Sequence, residues 1–110
     1  MTSRKHEHLH GALDMLVLAA LRDGPEHGFG IARRLERDSD DELVIEEGSL
    51  YPALYRLERQ GLVRSQRGRS ENNRPARFYR LTPLGKRRLG VEVESWRRFV
   101  EAVSRTLPSP

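Results

Sequence analysis

Two β-prone segments set across a polar loop constrain this chain more than any other feature. Leu62–Arg67 and Ala76–Leu81 flank GRSENNRP, residues 68–75, and together they read as a hairpin. The sequence around the hairpin follows a helical period instead. Leu9, Leu13, Leu16, Val17, Ala20 and Leu21 fit the i, i+3, i+4, i+7 rule, which predicts a helix over Leu9–Arg22. Met15–Leu21 is apolar almost all round, so this helix is expected to be buried on more than one side. Gly24-Pro25 ends it. Gly28–Arg37 gives a second helix, with Ile31, Ala32 and Leu35 inward and Arg33, Arg34 and Arg37 outward. The acidic connector Asp38–Glu47 follows, and its Leu43-Val44-Ile45 run predicts a brief strand. Ser49–Gln60 gives a third helix, with Ser49 as N-cap, Pro52 in its first turn and Gly61 just past its end. Leu50, Leu54 and Leu57 form its inner stripe. Thr82-Pro83 then opens a last helix as N-cap and first-turn proline.

Helix, helix, helix, strand, loop, strand, helix is the order of a winged helix-turn-helix. The expected fold class is mainly α, with an α+β wing and a C-terminal dimerisation helix. Residues 1–8 are expected to be a disordered N-terminal tail, 9–82 the winged helix-turn-helix DNA-binding domain, and 83–107 the C-terminal dimerisation helix. In such a design the helix after the turn enters the major groove, and the hairpin touches the adjacent backbone or minor groove.

Charge is strongly segregated. Arginines and lysines total 20 against 16 acidic residues, and the only lysines are Lys5 and Lys86. Guanidinium forks match phosphates and guanine edges in a way that ammonium groups do not. Leu62–Arg88 holds nine basic residues against Glu71, a net of +8, whereas Glu36–Glu47 nets −6. The hairpin end is therefore a candidate anion-binding surface. Its binding residues are expected to be Arg67, Arg69, Arg74 and Arg77.

With Leu50, Leu54 and Leu57 inward, the third helix presents Ser49, Tyr51, Pro52, Tyr55, Arg56 and Arg59 on its other face. Two exposed tyrosines one turn apart, beside serine and arginine, form a surface suited to contact, because aromatics otherwise seek the core. Their hydroxyls can reach phosphates or base edges.

At these residues the sequence resembles the PadR family of bacterial transcriptional regulators. GSLYPALYRLERQG, residues 48–61, is similar to that family's recognition-helix signature. HGALDMLVLAAL, GPEHGFGIARRL and RFYRLTPLGKRRL resemble its first helix, its second helix, and its wing strand with the last helix start, in the family's order. The chain departs at Phe29, where tyrosine is frequent, and at Tyr55, where histidine is frequent. The resemblance implies a homodimeric repressor of the compact subgroup, bound to a pseudo-palindromic operator. Ser49, Tyr51 and Pro52 match its DNA-facing helix start.

The last helix carries Leu89, Val93, Trp96, Val100, Val103 and Leu107, spaced by four, three, four, three and four residues. A chain of 110 residues with 36% hydrophobic content has little core of its own to cover such a stripe. A homodimer interface is therefore expected there, joined by Leu13 and Leu16 of the first helix. The resemblance also implies a place for a small planar aromatic effector between terminal helices, with Trp96 as its candidate contact.

Other chemistries find little support. His6-Glu7-His8-Leu9-His10 matches H-E-x-x-H, but a catalytic zinc needs a third ligand and an enclosing cleft, so no metal site is expected. No cofactor loop or nucleophile constellation is present, and an enzyme is not expected. With no cysteine, no membrane-length apolar run and no signal-peptide pattern, a cytoplasmic protein is expected, with no membrane partner. The competing reading is a winged-helix protein–protein module that uses its basic face on an acidic partner.

Overall fold

A computed structural model describes residues 3–109, with side chains described from Ala12 onward. Its elements are α1 (Ser3–Ala20), β1 (Glu26–His27), α2 (Gly28–Asp38), α3 (Glu47–Arg59), β2 (Val63–Arg69), β3 (Pro75–Leu81) and α4 (Pro83–Thr106). The strands form one antiparallel sheet in the order β1-β3-β2. Val63 opposes Leu81 at its base and Arg69 opposes Pro75 near its tip. The core is a single cluster: Val17, Leu18 and Leu21 from the α1 end, Ile31 and Leu35 from α2, Leu50, Leu54 and Leu57 from α3, and Val63, Tyr79 and Leu81 at the base of the wing.

Several boundaries differ from the sequence reading, each for a local reason. The chain is helical from Ser3, so the disordered tail expected over residues 1–8 is not what residues 3–8 show. Extending a helix already nucleated by the Leu9 repeat adds a hydrogen bond per residue, and SRKHEH contains no Gly or Pro to stop it. The run Leu43-Val44-Ile45 is not a strand. Ile45 is buried in the core while Val44 is exposed, so the segment serves as a plug. The third strand is instead Glu26–His27, which pairs with the free edge of β3.

Helix α3 starts at Glu47, with Glu46 as its N-cap, so Ser49 is not the cap. The N–H groups of Ser49 and Leu50 both donate to the Glu46 carbonyl at 3.0 Å, closing the helix two residues early. The Glu47 carboxylate in the first turn suits the helix dipole. Pro52 consequently lies inside the helix. Gly61, at φ +76°, ends α3 in a left-handed turn. The Leu62 N–H donates to the Leu57 carbonyl at 2.9 Å and the Gly61 N–H to Glu58 at 3.0 Å, as in a Schellman motif. Thr82 caps α4 by accepting the Gly85 N–H at 3.0 Å, and Pro83 is its first residue.

Candidate nucleic-acid interface

The inner stripe of α3 is fully buried, and this aims its other face outward. Tyr51, Pro52, Tyr55 and Arg59 are exposed, while Ser49 is half-buried. The Tyr51 ring lies against Gly28, the first residue of α2, where a Cβ would come within 2.8 Å of the ring. Tyr51 therefore packs against the N-terminal end of α2 and still exposes its outer half. Tyr55 is open to solvent, with the Arg59 guanidinium 5.7 Å from its ring centroid. Arg56 departs from expectation. Its Nη2 donates to Asp14 Oδ1 at 2.9 Å, so it braces α3 against α1 instead of standing free on the contact face. The two residues are 42 positions apart, beyond any spacing rule.

The wing concentrates positive charge at some cost to itself. Arg67 opposes Arg77 and Arg64 opposes Arg80 in register. Like charges directly opposite destabilise a sheet, and a bound polyanion would relieve them. Arg77 Nη1 donates to Ser65 Oγ at 2.9 Å, and that hydroxyl donates to Glu58 Oε2 at 2.6 Å, fixing the strand over the end of α3. Arg69 Nη1 donates to the Asn73 carbonyl at 3.1 Å across the loop. Arg74 is exposed at the tip. Burial lifts the Tyr79 phenol above its usual pKa, the Glu58 carboxylate adds to this, and Arg77 opposes it. Tyr79 therefore stays protonated through the physiological range.

A groove of about 1060 Å³ runs between the start of α2 and the wing. It brings together Tyr51, Arg74 and Arg77 of the expected contact residues; Ser49, Pro52, Tyr55, Arg56, Arg59, Arg67 and Arg69 lie outside its lining. It also recruits Arg33, Arg34 and Arg37 from α2, which sequence reasoning placed outward without a role. The consecutive pair Arg33-Arg34, one turn into a helix that precedes the contact helix, was the available signal.

The expected dimer seam divides. Leu13 is 1% exposed inside the chain's own core, so it has no surface to offer a second copy. Leu16, Leu89, Val93 and Val103 are half-buried. Trp96 and Val100 are 44% and 41% exposed, and Phe99 stands beside Trp96 with ring centroids 5.9 Å apart. Leu107 is the C-cap in extended backbone, just past the helix. The side chains of His6, His8 and His10 lie outside the described residues. Among the described residues no group of three or more His, Asp or Glu is placed to hold a metal, and no helix is long and apolar enough to cross a membrane.

A two-helix turn braced by a small antiparallel sheet, with a basic hairpin beside the second helix, defines a winged-helix protein. The model of the transcriptional regulator PadR-like family matches residues 17–91, and the chain belongs to that family. The transcriptional regulator Rv3488 of Mycobacterium tuberculosis is 33% identical over 94 residues, covering 86% of this chain and 80% of that one. A transcriptional regulator from Clostridium thermocellum superimposes with a TM-score of 0.84 at 27% identity, covering 93% of this chain and 99% of the other. PadR of Bacillus subtilis, solved in complex with operator DNA, shares the fold with a TM-score of 0.66 at 22% identity, over 74% of this chain and 47% of that one.

Proposed function

We propose that this transcriptional regulator acts as a homodimeric repressor that binds a pseudo-palindromic operator through α3 and the wing. The observation that carries this reading is the groove that gathers Tyr51 with Arg74 and Arg77. Base-reading and phosphate-binding groups then lie side by side, as readout of duplex DNA requires. The fold shared with an operator-bound PadR supports it, and membership of a family of transcriptional regulators favours nucleic acid over an acidic protein partner. The exposed stripe on α4 supports a two-fold dimer, which would present two recognition helices to successive half-sites. The two Trp96 rings of that dimer would offer stacking walls to a planar aromatic effector. We read the protein as cytoplasmic and non-catalytic.

Fluorescence anisotropy with a duplex from the region upstream of its own gene, against a random duplex of equal length, tests the reading. The wild type is expected to prefer the upstream duplex. Tyr51→Ala is expected to reduce that preference more than total DNA affinity, because it removes a groove contact. Equal loss on both duplexes would show that Tyr51 does not read sequence.

A salt titration tests the wing separately. Each arginine that neutralises a phosphate releases counterions, so log affinity falls with log salt by about 0.9 per contact. Arg74→Ala is expected to remove up to about two units of slope for a dimer on a full site, and to weaken both duplexes alike. An unchanged slope would take the wing tip off the phosphate backbone.

A further inference from the structure

The first two turns of α2 form the bank of the groove that faces the wing. Phe29 and Arg33 are its exposed outward side chains. The Arg33 guanidinium carbon lies 5.6 Å from the Phe29 ring centroid, within cation–π range. Phe29 stacks on His27 at 6.5 Å between centroids, and His27 meets Phe78 of β3 edge-on at 5.2 Å. His27 is itself held in place, because its Nδ1 accepts the Gly30 N–H at 3.1 Å as the cap of α2. A continuous ladder thus runs from Arg33 through Phe29 and His27 to the wing strand, and it fixes one bank of the groove relative to the other.

Charge in the groove is unbalanced. Arg33, Arg34, Arg37, Arg74 and Arg77 line it against Glu26 and Glu71. Two of the α2 arginines are already engaged. Arg34 pairs with Glu26 at 3.1 Å and donates to the Ala20 carbonyl at 2.8 Å, while Arg37 pairs with Asp38 at 3.3 Å. Arg33 sits instead on an exposed aromatic ring, its fork held at the surface. The groove is open along its length and has Tyr51 on its lining, so a ligand in it continues onto the contact face of α3.

We propose that this groove is a phosphodiester track. One strand of duplex DNA passes between α2 and the wing, and Arg33, seated on Phe29, holds a phosphate on the bank opposite Arg74. This rests on the DNA-binding reading and extends the footprint to a helix outside the expected contact set. A planar guanidinium suits this work, because it grips phosphate with two parallel N–H donors. A long anionic backbone suits the site better than a small anion, because the arginines stand on two separate banks of an open channel.

The test uses the full chain, a random-sequence 30-base-pair duplex and a salt series, so no knowledge of the operator is needed. Arg33→Ala is expected to lower the salt slope by about one unit per copy bound and to weaken binding about eightfold per contact at 0.1 M salt. Arg33→Lys, which keeps the charge, is expected to retain most of the slope. Arg98→Ala, which removes an exposed arginine paired with Glu94 on α4, is expected to leave the slope unchanged. Because Arg33 is exposed, its thermal melt should match wild type. A wild-type slope for Arg33→Ala, alongside a reduced slope for Arg74→Ala, would overturn the proposal while leaving the wing reading intact. Absence of salt-dependent binding by the wild-type chain would overturn the DNA reading itself and this proposal with it.

Discussion

Trp96→Ala is expected to raise the dissociation constant of the proposed dimer by about 30- to 1000-fold while leaving the single chain's fold almost unchanged. A fully buried tryptophan costs about 3–5 kcal/mol when truncated to alanine. Within one chain, however, Trp96 is 44% exposed and touches the core little. Most of the cost of truncation must then appear where a second copy covers the ring. Trp96, Phe99 and Val100 make a contiguous apolar surface on α4, with Val103 half-buried one turn beyond, and a soluble chain rarely leaves such a surface bare. Trp96 also lies near the middle of the longer seam from Leu89 to Leu107, where hot spots concentrate. Sedimentation across a concentration series reads the change directly, and chemical denaturation at low concentration reads the single chain. DNA affinity should fall with the dimer, since a lone subunit reaches one half-site only. A wild-type chain that sediments as a monomer at micromolar concentration would sink the dimer.

What the sequence made legible was local. The hairpin is set by turn residues between β-prone runs, and the start of α4 by the adjacent Thr82 and Pro83, so both read correctly within a residue or two. The Gly61 stop of α3 needs only a residue that tolerates φ of +76°. What escaped depended on partners distant in the chain. Glu26–His27 has no strand pattern of its own and is a strand only because β3 leaves an edge free. Leu13 looked like a surplus apolar residue on α1, yet it is 1% exposed because α1 lies against other helices of its own core. Arg56 looked free on a helical wheel, but Asp14 on another helix holds it. The same limit applies to the candidate site. Spacing along α3 located Tyr51 and the hairpin located Arg74, but only the packing of α2 against the wing brought Arg33 into the same groove.

Gly85→Ala is expected to destabilise the chain by about 3 kcal/mol, the upper end of what an overpacked site costs. Gly85 is the third residue of α4 and is buried. Two hydrogen bonds tie this first turn to the turn that ends α3, and a third caps α4 itself. The Thr82 N–H donates to the Leu62 carbonyl at 3.1 Å, the Thr82 hydroxyl donates to the Gly61 carbonyl at 2.7 Å, and the same hydroxyl oxygen accepts from the Gly85 N–H at 3.0 Å. A Cβ at Gly85 would fall on the Leu62 carbonyl oxygen, with Leu81 Cδ2 only 3.3 Å away on another side. Leu62 cannot yield easily, because its own N–H is bonded to the Leu57 carbonyl in the Gly61 turn. Relief requires α4 to lift away from the end of α3, which breaks the Thr82 bonds to Gly61 and Leu62. Gly90→Ala provides the contrast within the same helix. Its Cβ would meet nothing within 4 Å, so higher helix propensity should stabilise the chain by about 0.5–1 kcal/mol. Chemical denaturation of the two variants should therefore give shifts of opposite sign. A small stabilisation from both would show that α4 does not sit on the Leu62 carbonyl, and that the junction between α3 and α4 is looser than these hydrogen bonds require.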